Sequence, residues 1–354
     1  MHTLKKYESG IKDIPAEIAW YIADVMEFRG KEDLYSSRSA QKLKMLRESS
    51  IIESSVSSTR IEGVSIDPAR VEPVLRGNSP FRDRDEEEVK GYRDALDWIH
   101  SEGNNIPINT RTVLELHSFV RSGSSSSGKF KTKPGEGDIF EIFPDGRKKL
   151  RFATVPYKDV KRYMKEWEKR TSTLMESGKV HPLIVLCASS FDFLCIHPFG
   201  DGNGRVSRLL FLLHTYHIGI GVGRYVSLER IIEENKEEYY RNLAESSAGW
   251  HRGKHNEWHY IRYMIYILKS AYKELAEKMD YAEPRGVKTE MIEGWIQKKK
   301  GTFTLSEIQQ AMPSVSHDMI RKVLKDLSRD KKIQSSGHGR SAVWKRISNI
   351  KEKS

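Results

Sequence analysis

Cysteine is scarce in this chain, and its scarcity excludes a disulfide-rich fold. Only Cys187 and Cys195 occur in 354 residues, and both lie inside an apolar stretch. Two cysteines are too few for the disulfide framework of a small secreted domain, and this small number favours a reducing compartment. We expect both to be core thiols without a redox role.

Long apolar runs are also missing. The unbroken apolar runs are no longer than about six residues, as at 183–188 and, with five, at 209–213, whereas a membrane-spanning helix needs about 20. The first ten residues, MHTLKKYESG, lack the apolar core of a signal peptide. The sequence therefore predicts a cytoplasmic protein without a membrane span.

The positive charge is unevenly distributed. The net charge is +11, yet Lys and Arg exceed Asp and Glu by only 44 to 42 in the first 284 residues. In residues 285–354 the excess is 16 to 7. Because clustered cations attract polyanions, the C-terminal fifth is the candidate for a nucleic-acid-binding module, and the rest of the chain is nearly neutral.

Most of the sequence has the periodicity of helices, with apolar residues recurring at intervals of three and four. At 354 residues, two or three domains are expected. The hydrophobic content of 38% and charged content of 31% are typical of a globular protein. We predict helices near 15–30, 34–62, 84–102, 109–121, 157–176, 181–196, 204–217, 227–249 and 256–279.

One segment, 138–155, predicts a β-hairpin instead. Aromatic and β-branched residues on both sides of Pro144-Asp145-Gly146 indicate two strands joined by a turn. The preceding Ser- and Gly-rich residues 122–128 have the composition of a flexible loop. Since a lone hairpin is not stable by itself, this one must pack on the helices or offer an edge to a partner strand.

The C-terminal residues 285–350, beyond a boundary near 280–285, predict a winged helix-turn-helix domain. The elements are a capping box at 304–307, a turn at 313–316, a helix at 317–329 and a hairpin with its tip at 337–339. The helix would bury its apolar face, namely Ile320, Val323, Leu324 and Leu327. Its other face is basic, which leaves DNA binding and protein binding both open.

The stretch with the strongest chemical signal is HPFGDGNGRVSR, residues 197–208, which follows one helix and begins another. Its closely spaced glycines let consecutive backbone N–H groups converge on an anion, and the positive end of the following helix reinforces that site. These glycines are Gly200, Gly202 and Gly204.

Charged residues in the same stretch point to a polyphosphate ligand. Arg205 and Arg208 lie in the first turn of the second helix, where the dipole disfavours cations unless an anion binds there. Asp201 offers a hard oxygen ligand suited to magnesium beside that phosphate site. His197 can take a proton near neutral pH and is the candidate general base.

This stretch resembles the signature of the Fic family, H-P-F-x-(D/E)-G-N-G-R-x-x-R, at every fixed position. The resemblance covers roughly residues 35–275, because 238–243 and Trp250 to Trp258 look like the family's closing helices. It implies a mostly α-helical Fic bundle, with the hairpin at 138–155 as a flap that holds the target.

The resemblance also implies an activity, adenylyl transfer from ATP to a Ser, Thr or Tyr hydroxyl of a target protein, with release of diphosphate. His197 would be the base, and Asp201 would hold Mg²⁺. Asn203 would stabilise charge on the α-phosphate with two neighbouring amides, and two arginines would grip the β- and γ-phosphates. The implied nucleotide-binding residues are Gly200, Asp201, Gly202, Asn203, Gly204, Arg205, Arg208, Tyr239 and Tyr240.

A second motif lies upstream, at 58–63. Taken alone, Ser58 to Glu62 followed by Gly63 is an ordinary helix end. Beside the first motif it resembles the family's inhibitory helix, (S/T)-x-x-x-E-(G/N), placed here at about 48–63. Glu62 would then pair with Arg208, for which bidentate geometry is suitable, and occupy the place of the γ-phosphate.

We therefore expect an N-terminal helical region at 1–100, a Fic catalytic core at 101–279 and the C-terminal module at 285–350. Two other functions stay open: a nucleotide-sensing, DNA-binding transcriptional regulator, and a Fic enzyme that removes AMP or uses another donor. The target could be the protein itself, and a homodimer is possible. His251, His255 and His259 have a spacing that zinc ligands can adopt, although surface or capping roles are expected.

Overall fold

The computed structural model describes residues 2–38, 40–64, 66–77, 79–280, 287–299, 301–312, 315–337 and 342–347. The chain forms two compact units, Met1–Lys278 and Met279–Ser354. In the part of the chain that is described, no helix combines the length and apolarity needed to cross a membrane.

The first unit is built from helices and one hairpin. Its helices are α1 (Thr3–Tyr7), α2 (Ala16–Arg38), α3 (Ala40–Ile61), α4 (Pro68–Leu75), α5 (Arg84–Glu102), α6 (Thr110–Val120), α7 (Val160–Ser177), α8 (Pro182–Ile196), α9 (Asn203–His217), α10 (Leu228–Glu234), α11 (Lys236–Ser247) and α12 (Trp258–Asp280). Single 3₁₀ turns occur at Gly103–Asn105, Val222–Arg224 and Trp250–Arg252.

These bounds confirm the mostly helical prediction and correct it in three places. The predicted helix at 227–249 is two helices, because Asn235 leaves the helical conformation between α10 and α11. The first helix continues to Arg38 instead of ending near 30. Helices α1 and α4 were not predicted, since five and eight residues are too few for a periodicity to be recognised.

Helix α8 is the centre of the first unit. It is apolar on all sides, and every side chain from Leu183 to Ile196 is buried, as expected of a helix surrounded by others. Helices α7 and α9 pack on either side of it, so the short loop between α8 and α9 is held by two core helices.

Asp192 is the exception within α8, a fully buried carboxylate that anchors the N-terminal segment. Its oxygens accept hydrogen bonds from the Thr3 hydroxyl at 2.7 Å, the Leu4 amide at 3.0 Å and the Trp250 indole N–H at 2.6 Å. Because each donor has lost its water, the carboxylate replaces hydration for three donors in two separate elements, α1 and the turn at Trp250–Arg252.

The predicted hairpin is present as β1 (Ile139–Ile142) and β2 (Lys148–Phe152), paired antiparallel. Phe140 pairs with Leu150, but Ile139 pairs with Phe152. Arg151 is therefore the extra residue of a β-bulge, a feature that redirects a side chain away from the regular alternation.

The second unit contains α13 (Val287–Lys298), β3 (Thr302–Thr304), α14 (Leu305–Ala311), α15 (His317–Arg329), β4 (Ile333–Ser336) and β5 (Val343–Arg346), with strand order β3-β5-β4. The predicted capping box joins Thr304 and Glu307. Helix α15 has the predicted bounds and buries its predicted apolar face. Strand β3 was not predicted. Pro313 and Ser314 of the predicted turn, and His338 and Gly339 of the predicted tip, lie outside the described residues.

We predict that Asp192→Ala lowers the free energy of unfolding by about 3 kcal/mol, because it leaves buried donors without an acceptor. Urea denaturation measures the change. Asp13→Ala, at an exposed position before α2, is the matched control and should change stability by less than about 0.5 kcal/mol. Equal effects of both substitutions would contradict the anchoring role of Asp192.

Candidate active site

The loop between α8 and α9 lies at the base of a cavity of about 620 Å³ in the first unit. The cavity is also lined by the hairpin, by the start of α11 and by Glu62 at the end of α3. The structure thus brings the predicted catalytic loop, the predicted flap and the predicted inhibitory glutamate to one site. A cavity of this size accommodates a nucleotide-sized ligand.

His197 has a defined tautomer. Its ring Nδ1 lies 3.1 Å from the Leu194 carbonyl oxygen, which can only accept a hydrogen bond, so Nδ1 carries the proton. No described residue donates or accepts a hydrogen bond at Nε2, and the residue lines the cavity. Burial lowers the pKa of His197 to about 4, with a further lowering by Lys131. The imidazole is therefore neutral and presents an unprotonated Nε2 that can accept a hydrogen bond.

Asn203 closes the catalytic loop. Its Oδ1 accepts a hydrogen bond from the Phe199 amide at 3.0 Å, and its Nδ2 donates to the Phe199 carbonyl at 2.9 Å. Both ends of the side-chain amide are occupied and the residue is buried. The amide group therefore holds the loop, and Asn203 also lines the cavity, so its expected role in stabilising charge on a phosphate stays a prediction.

His117 supports the same loop from α6. Its ring stacks on Phe199 with centroids 3.7 Å apart. The Gly128 amide donates to Nδ1 at 3.1 Å, so Nε2 carries the proton and donates to the Asp201 carbonyl at 3.1 Å. Burial lowers the pKa of His117 to about 4, which keeps this tautomer neutral.

Arg205 belongs to a buried ion network under the loop. Glu88 of α5 contacts Arg205 and Arg121 at short range and Arg84 at 2.7 Å. Arg205 is 2% exposed and does not line the cavity, and its role in gripping a phosphate stays a prediction. Its charge is neutralised from α5, since a buried guanidinium needs a carboxylate partner.

Asp201 joins this network from the cavity side. Its carboxylate lies 2.8 Å from Arg84, 2.8 Å from Arg121 and 3.3 Å from Arg205, and its side chain is 53% exposed. Among the described residues, no group of three His, Cys, Asp or Glu side chains could hold a metal. One accessible carboxylate fits Mg²⁺ only when phosphate oxygens and water complete the octahedron, so an ion at this position has to share its ligands with a nucleotide.

Arg208 reaches the inhibitory motif. Its Nη2 lies 2.9 Å from Glu62 Oε1, and it donates to the Ser58 hydroxyl at 3.0 Å and the Ser58 carbonyl at 2.8 Å. The salt bridge to Glu62 is formed at Nη2, which also donates to the Ser58 carbonyl, whereas Nε donates to the Ser58 hydroxyl. The buried Nη1 has no hydrogen-bond partner among the described residues. Proximity of Glu62 helps to raise the pKa of the buried guanidinium, which stays charged.

The Glu62 carboxylate lies against the first turn of α9. A methyl group placed on Gly204 would meet Glu62 Oε1 at 2.2 Å, so only glycine leaves room for the carboxylate. Gly63, with φ +83°, ends α3 directly behind it. A carboxylate at a helix N-terminus is favoured by the exposed N–H groups and the helix dipole.

Tyr239 and Tyr240 line the far wall of the cavity from α11. Tyr239 is buried, whereas Tyr240 is partly exposed and donates a hydrogen bond from its hydroxyl to the Ile61 carbonyl at 3.0 Å. The predicted nucleotide-binding tyrosine therefore also contacts the end of the predicted inhibitory helix.

The three spaced histidines do not converge. His251 stacks on Phe152 and donates to the Ala153 carbonyl at 2.6 Å. His255 is buried beside Thr3, and His259 lies near Glu245. Each of these histidines has its own partner.

The two cysteines, Cys187 and Cys195, are buried free thiols.

Sequence analysis missed several residues of the site. Arg84, Glu88 and Arg121 are distant in sequence and belong to ordinary charged helix patterns. Arg151 lines the cavity because of the bulge, which no local pattern indicates. The segment 129–138 runs along the loop, and its only signal was a pair of glycines near the hairpin.

We predict that the His197 imidazole titrates near pH 4, because burial disfavours the imidazolium. Proton–carbon NMR of the histidine Cε1–H groups measures the midpoint, with His197→Gln used for assignment. A midpoint near 6.5, the value of a solvated histidine, would show that the ring is not held as described.

Comparison with known proteins agrees with this architecture. Residues 107–215, from just before α6 into α9, match the family model Fic/DOC. A Fic family protein from Desulfovibrio desulfuricans G20 has a TM-score of 0.65 and 18% identity, over 97% of this chain and 99% of that one. A Fic-domain-containing signaling protein from Bacteroides thetaiotaomicron VPI-5482 has a TM-score of 0.58 and 16% identity, over 72% and 97%.

A third solved structure, Fic-1 from C. elegans, has a TM-score of 0.54 and 18% identity, over 74% of this chain and 72% of that one. Identities this low establish a shared fold. The matched stretch contains the loop, the hairpin and the core helices on which the site is built. Residues 107–215 of this chain match the Fic/DOC family model, and the chain shares the helical fold of solved Fic family proteins.

Proposed function

We propose that this protein transfers AMP from ATP to a Ser, Thr or Tyr hydroxyl of a target protein, and that Glu62 inhibits the reaction. Proteins of the Fic family typically transfer a nucleoside monophosphate to proteins. The observation that carries the proposal is the position of the Glu62 carboxylate on the first turn of α9, in a cavity that also contains the unprotonated Nε2 of His197.

The chemistry requires a base near an anion site. His197 Nε2 accepts the proton of the target hydroxyl as the oxygen attacks the α-phosphorus. The new oxygen–phosphorus bond forms while the bond from that phosphorus to the β-phosphate oxygen breaks, and diphosphate leaves. Because Nδ1 is tied to Leu194, the ring cannot rotate away, and Nε2 is the atom presented to the hydroxyl.

Backbone groups and one arginine balance the phosphate charge. The N–H groups at Asn203 and Gly204 would face an anion bound at the start of α9, and preorganised donors of this kind stabilise developing negative charge. The Gly202 N–H instead donates to Asp201 Oδ1 at 2.6 Å. Arg208 becomes available when Glu62 leaves. Asp201 would hold Mg²⁺, which neutralises phosphate charge, and the three arginines around Asp201 fix the direction of its carboxylate.

Glu62 inhibits by competition in this scheme. Its carboxylate takes the position and the guanidinium that the terminal phosphates of ATP need, so ATP binds without the in-line geometry required for transfer. Tyr240 secures this arrangement through the Ile61 carbonyl. The Glu62 side chain is 30% exposed, which keeps the ion pair weak enough for displacement.

We predict that Glu62→Gly raises the rate of AMP transfer on the order of tenfold or more, because Arg208 is released. Intact mass spectrometry after incubation with ATP and Mg²⁺ measures the gain of one AMP on the protein itself. Adding His197→Ala should abolish the gain. Glu48→Gly, on an exposed position of the same helix, controls for the loss of helix propensity.

Unchanged transfer by Glu62→Gly would remove Glu62 from the inhibitory role. Loss of a preformed AMP adduct, dependent on His197, would instead support the reverse reaction. Incubation with GTP, CTP and UTP in parallel identifies any other donor, since each nucleotide adds a different mass.

A second function concerns the C-terminal unit, which we propose to be a DNA-binding winged helix. Helix α15 has an exposed basic face in which Arg321 and Arg329 are paired with acidic neighbours, whereas Lys322 and Lys325 make no ion pair with a described residue. Helix α15 follows the short helix α14, and its two lysines without such an ion pair are suited to contact DNA phosphates when the helix enters a groove of the duplex. This favours a regulator that combines the Fic core with DNA binding, and protein binding by the same face is the competing outcome.

We predict that the protein shifts double-stranded DNA in a gel and that the shift weakens as salt concentration rises. Lys322→Glu combined with Lys325→Glu should weaken binding about tenfold, because two phosphate contacts become repulsive. Lys273→Glu, exposed on α12, is the control. Absence of any shift at low salt, or equal binding by all variants, would leave protein binding as the role of α15.

A further inference from the structure

A short segment, residues 131–138, connects the catalytic loop to the flap hairpin. At one end the Lys131 amide donates to the Pro198 carbonyl at 3.0 Å. Near the other end Gly137, with φ +79°, lies so close that a methyl group there would meet the Phe199 carbonyl oxygen at 2.8 Å and His197 Cδ2 at 3.2 Å. The segment therefore packs directly against the loop that carries the base.

Side chains at the base of the flap form a directed chain of hydrogen bonds. The Lys131 ammonium donates to the Thr154 hydroxyl at 2.7 Å. That hydroxyl donates to Asp138 Oδ1 at 3.0 Å, and the Thr154 amide donates to the same oxygen at 2.8 Å. The direction is fixed, because an ammonium can only donate and a carboxylate can only accept. Asp138 precedes β1 and Thr154 follows β2, so these hydrogen bonds join the two ends of the flap hairpin, which form its stem.

The Lys131 ammonium at the start of these hydrogen bonds is unusual because it is buried. Lys131 and Thr154 are each 5% exposed, and no carboxylate of a described residue lies within ion-pair distance of the ammonium. Burial lowers the pKa of Lys131 to about 8, while Asp138 and Glu136 oppose that shift. A buried lysine used only for packing is costly, since an apolar side chain would fill the same space without loss of hydration.

We propose that Lys131 is a positioning residue that latches the stem of the flap to the catalytic loop and thereby fixes the distance between strand β1 and His197 Nε2. The proposal rests on the function above in one respect, namely that β1 holds the target segment. Its backbone N–H binds the loop, and its ammonium binds Thr154 at one end of the flap, which in turn binds Asp138 at the other end. The latch is defined as Lys131, Asp138 and Thr154.

The same ammonium acts on the base through its charge. Three charged groups face His197 from the surrounding elements, and Lys131 disfavours the imidazolium whereas Glu62 and Asp138 favour it. Removing the positive charge of Lys131 therefore raises the pKa of His197. Removing only the Thr154 hydroxyl leaves the charge in place and does not. The two substitutions thus separate the mechanical effect of the latch from its electrostatic effect.

The test uses the full chain with Lys131→Met, Lys131→Arg, Thr154→Val and the matched control Thr154→Ser. Hydrogen–deuterium exchange of 139–152 reports the freedom of the flap, and NMR titration reports the pKa of His197. Neither measurement depends on transfer activity. The rate of AMP transfer, measured on each variant combined with Glu62→Gly, reports the consequence for chemistry.

We expect flap exchange about tenfold faster in Lys131→Met and Thr154→Val, with Lys131→Arg and Thr154→Ser near wild type. The pKa of His197 should rise in Lys131→Met alone. Transfer should slow about tenfold in the first two variants, through kcat and with little change in the KM for ATP. Unchanged flap exchange in both, or equal His197 titration in Lys131→Met and wild type, would overturn the latch. If no variant transfers AMP while exchange and titration change as stated, the latch stands and the proposed function fails.

Discussion

The central constraint of this structure is that the N-terminal turn of α9 attracts a negative charge and that Glu62 supplies one. Gly204 leaves space for the carboxylate, and Arg208 provides its counter-ion at 2.9 Å. An exposed helix start beside a buried guanidinium is unfavourable unless an anion is present. The position of α3, the contact from Tyr240 and the proposed competition with ATP all follow from that requirement.

The two arginines of the motif show how one pattern serves two purposes. Arg205 is neutralised by Glu88 and, with Arg84 and Arg121, forms a rigid base for Asp201. Among the residues that the structure describes, Arg208 has only the removable carboxylate of Glu62 as a charged partner. The difference lies in the facing helices, since α5 brings a permanent counter-ion and the end of α3 brings a replaceable one. The positive charge of Arg205 thus holds the loop, whereas the positive charge of Arg208 is available to a ligand when Glu62 leaves.

Much of this arrangement could be predicted from the sequence because its determinants are local. The α8–α9 loop, the hairpin and α15 follow from glycine spacing, turn residues and apolar periodicity. The burial of Arg205 and the roles of Glu88 and Lys131 could not, because each depends on a partner far along the chain. The split at Asn235 was missed because tertiary packing overrides weak local preferences. The helices α1 and α4 were missed because they are too short to show a periodicity.

The most direct measurement of the central claim is calorimetric nucleotide binding in a background that cannot turn over. His197→Ala and His197→Ala with Glu62→Gly are titrated with ATP and with AMP in the presence of Mg²⁺. If the Glu62 carboxylate occupies the site of the terminal phosphates, the second protein binds ATP about tenfold more tightly and AMP with unchanged affinity. Equal ATP affinity in both proteins, or an equal gain for AMP, would contradict the account.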